Sequence, residues 1–248
     1  MRIMEGGRGL SLIERDLELL IEMRSFTHVF QPIFHLGNRQ IIAYESLFRC
    51  QMVSSPEILF QRAKSLGKLY ELDMVSIFNA LNEFTMYQEK NGGREYMISL
   101  NVFPSTIIIS SFPDELLRLV NKTDLIPQQI ILEVNESERI EKLELMNTNI
   151  CRLKEMGFFV ALDDVGKGAY PLSVFLEMKV DIVKLDRYFS KDLAKEPKKQ
   201  SAILGMMQMF KDSKIILEGI ETEEDLRMAK FLGVMYGQGY HLARPMKL

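Results

Sequence analysis

Carboxylate and amide side chains recur in this sequence where short apolar runs end. These residues are Glu45, Asn101, Glu133, Asp163, Asp164 and Glu218. Carboxylates crowded at one site would repel one another, and their pKa values would rise sharply. A divalent cation relieves this repulsion, and a ligand set made only of oxygen atoms suits a hard cation such as Mg²⁺ or Mn²⁺. So many ligands suggest two cations bridged by one carboxylate, an arrangement that stabilises both the attacking and the leaving oxygen of a phosphoryl transfer.

Two further polar residues, Lys184 and Gln238, lie within apolar runs of the same kind. Lys184 could hold or deprotonate a nucleophilic water, or offset the charge of a phosphate. Each residue also has an ordinary explanation when it is considered alone. An Asp-Asp pair after a strand is often a helix cap followed by a first-turn acid, a lone lysine is usually solvated, and Glu45 fits a half-exposed strand. If each residue had only its ordinary explanation, chance alone would have placed an acid or amide at every strand end, which is improbable. The residues taken together therefore favour a functional site.

An alternation of strands and helices must position these residues. Short apolar runs alternate with longer segments of helical spacing, which indicates a mostly parallel sheet with both faces covered. About eight strands in a chain of this length predict an α/β fold, a (β/α)8 TIM-like barrel whose strands converge on one functional mouth at their carboxyl ends. The first two runs are separated only by HLGNRQ (35–40), which is too short for a helical crossover. We therefore expect the barrel to begin with an antiparallel hairpin.

Composition limits the classes of function and partner. The chain has 248 residues, of which 47% are hydrophobic, and a formal net charge of -3. This charge argues against binding to polymeric nucleic acid. Two cysteines do not make a disulfide framework and fit a reducing compartment. The sequence shows no signal-peptide pattern and no apolar run long enough to cross a bilayer, so we expect a cytoplasmic protein with no membrane insertion.

The sequence divides into a short helical segment and one large domain. SLIERDLELLIEM (11–23) carries apolar residues at helical spacing. We predict a helical lead-in over residues 1–25 and a barrel domain over residues 26–248. The lead-in could connect to an upstream domain, form a dimer contact or pack on the barrel, and packing on its own domain is favoured.

From about Phe30 to Pro245 the sequence resembles the EAL-domain family, bacterial phosphodiesterases that act on cyclic di-GMP. The resemblance rests on motifs in a fixed order, with Ser46 in place of the middle alanine of the motif that names the family. The motifs are FQPI (30–33), ESLFR (45–49), LNVFPS (100–105), LEVNES (132–137), LDDVGKG (162–168), VKLDRYF (183–189), LEGIET (217–222), GQGY (237–240) and ARP (243–245).

The resemblance implies a role for each matching residue. The implied cation ligands are Glu45, Asn101, Glu133, Asp163, Asp164 and Glu218, with Asp163 bridging two Mg²⁺ or Mn²⁺ ions. Among the implied catalytic residues, Lys184 would be the general base, and Gln238 would orient water or that lysine. Glu136 would brace the loop after the fifth strand, and Glu221 would lie near Glu218. Glu45 counts as catalytic as well as a ligand. The implied substrate contacts are Gln31, Leu47 near a guanine, Arg49 on a phosphate and Pro245 against a base.

The resemblance implies metal-dependent hydrolysis of cyclic di-GMP to linear pGpG, and it also implies a homodimer. The sequence departs from the family at Asn135, Val165 and Lys167. The last two lie in a loop that, by the resemblance, couples the metal site to dimerisation and substrate binding. This departure motivates an alternative: a receptor that holds cyclic di-GMP without cutting it, or a module that acts only through protein partners. A barrel glycosidase fits less well, because the chain has no Trp to stack on a sugar and a lysine with adjacent aspartates suits a metal site better.

Overall fold

Eight strands close into a barrel in the order in which they occur along the chain. The computed structural model describes residues 12–51, 55–91, 96–135, 138, 142–166 and 172–248. The strands are β1 (Thr27–His35), β2 (Gln40–Arg49), β3 (Met97–Val102), β4 (Ile130–Val134), β5 (Phe159–Val165), β6 (Ile182–Leu185), β7 (Lys214–Leu217) and β8 (Tyr236–Gly237).

Strand β1 is antiparallel to both of its neighbours, β2 and β8. The pairings from β2 through β8 are parallel. The tight turn between β1 and β2 leaves no room for a crossover helix, so β1 must reverse direction. The predicted α/β TIM-like barrel with an initial antiparallel hairpin is confirmed.

Helices surround the barrel and pack on the outward faces of its strands. Ile77, Leu81 and Phe84, for example, share one core cluster with Tyr44 and Leu100 of the strands. Among the described residues the α-helices are α1 (Leu12–Met23), α2 (Pro56–Ser65), α3 (Leu69–Lys90), α4 (Pro104–Ile107), α5 (Phe112–Val120), α6 (Leu143–Glu155), α7 (Leu172–Glu177), α8 (Arg187–Ser190), α9 (Pro197–Met209) and α10 (Glu223–Phe231), and 3-10 turns span Pro127–Gln129 and Leu193–Lys195.

Caps fix where the chain turns away from the last strands. The Asp186 carboxylate accepts a hydrogen bond from the backbone N–H of Tyr188 at the start of α8 (2.8 Å). The Thr222 hydroxyl accepts one from the backbone N–H of Asp225 at the start of α10 (3.1 Å). Such caps satisfy N–H groups that a helix leaves unpaired at its first turn. These two caps fix the path of the chain after β6 and after β7.

The barrel interior has an apolar floor. Its side chains are buried and contact one another in a cluster separate from the core beneath the helices. They are Ile33, Ala43, Ile131, Ala161, Ile182 and Ile216. This layer closes the barrel from below, so a polar layer above it opens only toward the mouth.

Helix α1 packs beside the barrel rather than apart from it. Leu17, Leu20 and Ile21 share a cluster with Phe26 and Phe48. This packing agrees with the interpretation favoured from the sequence. The division of the chain at residue 25 stays a prediction.

Candidate metal centre

A polar layer lies directly above the apolar floor, at the carboxyl ends of the strands. Side chains alternate between the two faces of a strand, so a residue two positions after a floor residue also points into the barrel. Glu45 follows Ala43 in this way on β2. Glu133, Asp163, Lys184 and Glu218 follow Ile131, Ala161, Ile182 and Ile216, respectively.

Lys184 lies at the centre of this layer and is fully buried. Its Nζ lies 2.9 Å from Glu133 Oε2 and from Glu218 Oε1, 3.0 Å from Asp163 Oδ1 and 3.4 Å from Glu45 Oε1. Burial by itself would lower the pKa of Lys184, but the four carboxylates outweigh it and raise that pKa well above its usual value. Lys184 is therefore an ammonium ion whose single charge is shared among four acids.

Gln238 joins two of these acids from the end of β8. Its Nε2 donates to Glu45 Oε2 (2.6 Å) and to Glu218 Oε1 (2.9 Å). The amide thus uses both of its N–H bonds on carboxylates of different strands. Its Oε1 is buried and accepts no hydrogen bond within the described part of the chain.

Burial and crowding raise the pKa values of two acids of this layer, Glu218 and Glu133. Burial raises the pKa of Glu218 to about 8; Asp163 and Glu45 add to the rise, and Lys184 opposes it. Burial likewise raises the pKa of Glu133 well above its usual value, with Glu45 and Asp163 adding to it against the ammonium of Lys184. A single ammonium is too little positive charge for these acids. Cations that bind ionised carboxylates would displace their protons.

A β-bulge explains how two consecutive aspartates both serve this site. The β5–β6 register shifts between Leu162 and Val165, and Asp164 has a left-handed backbone (φ 56°). In a regular strand Asp163 and Asp164 would point to opposite faces. Asp is one of the few residues other than Gly that adopt this backbone conformation readily.

The acids form two groups with the spacing of metal ligands. Oxygen atoms of Glu45, Glu133 and Asp163 lie within 4.8 Å of one another, and so do oxygen atoms of Asp163, Asp164 and Glu218. Asp163 belongs to both groups. Carboxylate oxygens in this arrangement fit hard divalent cations, and Asp163 would be the carboxylate that two such cations share.

Ser99 is a polar residue of this layer that the sequence did not single out. It pairs with Glu45 in the β2–β3 register and is completely buried. Its hydroxyl donates to Glu133 Oε1 (2.5 Å). Its place two residues before Asn101 on one strand was the signal available, because both must face inward.

A cleft of about 650 Å³ opens beside the polar layer. Leu47, Arg49 and Asn101 line it together with residues 163–164, so predicted substrate contacts and predicted ligands face the same space. The Arg49 side chain is at the exposed end of β2, and its Nη1 donates to the Phe48 carbonyl (2.8 Å). This hydrogen bond leaves further guanidinium donors available to an anion in the cleft.

Gln31 and Pro245 lie on the β1 side of the barrel. Gln31 is paired in register with Glu45 and is buried, and its Nε2 donates to the Ala243 carbonyl (3.1 Å). Pro245 is half-buried two residues further along the same C-terminal segment. Gln31 therefore ties β1 to the segment that carries Pro245.

Other predicted residues fall outside this arrangement. Glu221 is exposed and lines a second cleft, of about 560 Å³, together with Arg187. Gly219 turns the chain toward that cleft with a left-handed backbone (φ 66°). Glu136 and Lys167 lie outside the described residues.

Comparison with known proteins identifies relatives over nearly the whole chain. The sequence profile of the EAL domain family matches residues 14–245. The cyclic di-GMP phosphodiesterase PA2567 of Pseudomonas aeruginosa is 28% identical over 246 residues, covering 96% of this chain and 41% of that protein. The probable cyclic di-GMP phosphodiesterase PdeI of Escherichia coli K12 is 27% identical over 243 residues, covering 94% of this chain and 31% of that protein. The chain thus spans less than half the length of these relatives.

The barrel also matches solved structures. The EAL enzyme Bd1971, in a form with cAMP and cyclic di-GMP bound, superposes with a TM-score of 0.83 at 25% identity, covering 94% of this chain and 65% of that one. Within the described residues, no helix has both the length and the apolar character needed to cross a bilayer.

Proposed function

Because this chain belongs to the EAL domain family, we propose that it hydrolyses cyclic di-GMP to linear pGpG with two divalent cations, Mg²⁺ or Mn²⁺. The observation that carries the proposal is the pair of three-carboxylate groups that share Asp163. The proposed ligands are those two groups and Asn101 at the edge of the adjoining cleft. Two bound cations stabilise the attacking and the leaving oxygen of an in-line displacement at phosphorus.

The proposed role of Lys184 follows from its charge. As a buried ammonium it holds four carboxylates of the site together. It can accept a proton from water only after it has released its own, so a role as general base requires that it first become neutral. Gln238 holds Glu45 and Glu218 at a fixed separation through its amide N–H groups, and we propose that it orients water or Lys184.

The proposed substrate contacts divide between the two sides of the mouth. Arg49 would pair with a phosphate through a charge-assisted hydrogen bond, and Leu47 would pack against a guanine in the same cleft. On the β1 side, Gln31 and Pro245 would contact the other part of the dinucleotide. Glu136 would brace the loop after β5, and Glu221 would contribute from the segment after β7.

We further propose that the protein works in the cytoplasm as a homodimer, with residues 26–248 as the catalytic domain. The support for dimerisation is the resemblance to the family. The support for the location is the composition, with two free cysteines.

Product analysis tests the proposed activity directly. Purified protein, stripped of metal with a chelator, is incubated with cyclic di-GMP alone, with Mg²⁺ or with Mn²⁺, and the products are separated by chromatography. We expect linear pGpG only where a cation was added. Intact substrate under every condition would refute hydrolysis. If isothermal titration then shows tight binding of cyclic di-GMP, the receptor function replaces it.

A further inference from the structure

Two buried serines on neighbouring strands face opposite sides of the barrel wall. Ser99 of β3 points inward and donates to Glu133 Oε1 (2.5 Å). Ser46 of β2 lies next to inward-facing Glu45 and therefore points outward. Its hydroxyl is buried and has no hydrogen-bond partner within the described ranges. The two residues have the same chemistry and similar burial. Comparing their substitutions therefore separates the effect of the Ser99–Glu133 hydrogen bond from a general effect on packing.

We infer that Ser99 is a positioning residue that fixes the cation-binding carboxylate of Glu133; this inference rests on the proposed function. Each oxygen of Glu133 has its own donor: Oε1 accepts from the Ser99 hydroxyl, and Oε2 faces the Lys184 ammonium at 2.9 Å. These contacts set the rotation of the carboxylate. Without the hydroxyl, the ammonium alone orients the group.

The effect is confined to one half of the site. Glu133 contributes to the group with Glu45 and Asp163 but not to the group with Asp164 and Glu218. A hydrogen-bond donor behind a metal ligand typically changes metal affinity or activity by about 10- to 100-fold. Loss of the Ser99 hydroxyl should therefore weaken the binding of one cation and leave the affinity for the other nearly unchanged.

Calorimetric titration of the metal-free protein with Mn²⁺ tests this inference without reference to turnover. In Ser99→Ala we expect the Kd of one of two sites to rise about 10-fold. Ser46→Ala is the matched control, because Ser46 lines the adjoining cleft but contacts neither three-carboxylate group, and its two Kd values should equal those of the unchanged protein. Ser99→Cys preserves the volume with a weaker donor and should give an intermediate Kd, which keeps the test available if Ser99→Ala does not fold.

The outcomes separate this inference from the proposed function. If the unchanged protein binds two Mn²⁺ ions and Ser99→Ala binds both with the same affinity, the positioning role is refuted while the metal site stands. Equal weakening in Ser99→Ala and Ser46→Ala also refutes it, because packing then explains the effect. If the unchanged protein binds no Mn²⁺, the proposed metal site fails and the inference fails with it.

Discussion

Two regions in which the described residues bury acids have different surroundings. Asp73 of α3 is buried outside the barrel, where its Oδ2 accepts hydrogen bonds from the Thr106 hydroxyl (2.6 Å) and the Phe103 backbone N–H (3.1 Å). Inside the barrel, four acids share the ammonium of Lys184. The hydrogen-bond donors around Asp73 are protein groups from the segment that follows β3, so Asp73 clamps that loop in place. The inner acids lack enough positive charge, which is what a cation would supply.

The largest expected effect comes from removing an inner acid. In Glu45→Ala the site loses a proposed ligand and one of the two carboxylates that Gln238 contacts. The proposed metal-dependent hydrolysis of cyclic di-GMP should therefore fall by about 100-fold or more, the equivalent of several kcal/mol of transition-state stabilisation. Chromatography of the linear product measures the rate. Glu57→Ala is the control, because Glu57 lines the same cleft from α2 and is exposed. Retained activity in Glu45→Ala would contradict the proposed role of the inner layer in catalysis.

Both regions should make the metal-free protein less stable as the pH rises. Burial raises the pKa of Asp73 from 3.8 to about 7 and that of Glu218 from 4.5 to about 8. An acid with a raised pKa binds its proton more tightly when folded, so its stabilising effect is complete below the unfolded pKa and is lost as pH rises through the folded one. We expect the free energy of unfolding in chelator to fall by a few kcal/mol between about pH 4 and about pH 8.

Saturating Mn²⁺ sharpens this comparison. A cation that binds only the folded protein adds stability by mass action. It adds more at pH 8 than at pH 5, because fewer protons must then be displaced from the inner acids. The loss due to Asp73 should persist, because Asp73 belongs to neither of the three-carboxylate groups. Urea unfolding at pH 5 and pH 8, with and without Mn²⁺, measures both parts. A pH profile that Mn²⁺ does not alter would contradict the proposed difference between the regions.

Removal of the outer acid should affect folding rather than metal binding. Asp73→Ala leaves the buried Phe103 N–H and the Thr106 hydroxyl without an acceptor, which costs about 1–3 kcal/mol for each unsatisfied group. We expect the urea midpoint to fall while the Mn²⁺ affinities change by less than about threefold. Loss of Mn²⁺ binding in a folded Asp73→Ala protein would mean that the clamp on the loop after β3 also sets the position of Asn101.

The sequence indicates which side chains lie together in the inner layer because their signal is a repeated one. Glu133, Asp163 and Lys184 each interrupt an apolar run at its carboxyl end, and parallel strands bring such positions to one mouth. Ser99 does not end an apolar run in this way, and its one signal in the sequence is its place two residues before Asn101 on the same strand. The bulge at Asp164 was also invisible, because a local change of register does not alter the apolar pattern.

Departures from regular geometry account for the rest. Helices α4 and α8 are single turns, too short for helical spacing to appear in the sequence. Glu221 follows Glu218 by three residues, so the sequence favours a common site, but the left-handed backbone of Gly219 directs it into a second cleft. Side-chain type and periodicity locate strand ends, whereas turns of one or two residues decide which side chains finally meet.

The smallest expected effect concerns Ser46, the residue that stands where the family motif has alanine. Its hydroxyl is buried outside the barrel without a partner among the described residues, so it loses hydration and gains no hydrogen bond in return. Ser46→Ala should therefore raise the free energy of unfolding by about 1 kcal/mol and the Tm by roughly 2–4 °C, with Mn²⁺ affinities unchanged. Thermal unfolding by circular dichroism measures the shift. A fall in Tm would mean that the Ser46 hydroxyl forms a hydrogen bond that stabilises the folded protein.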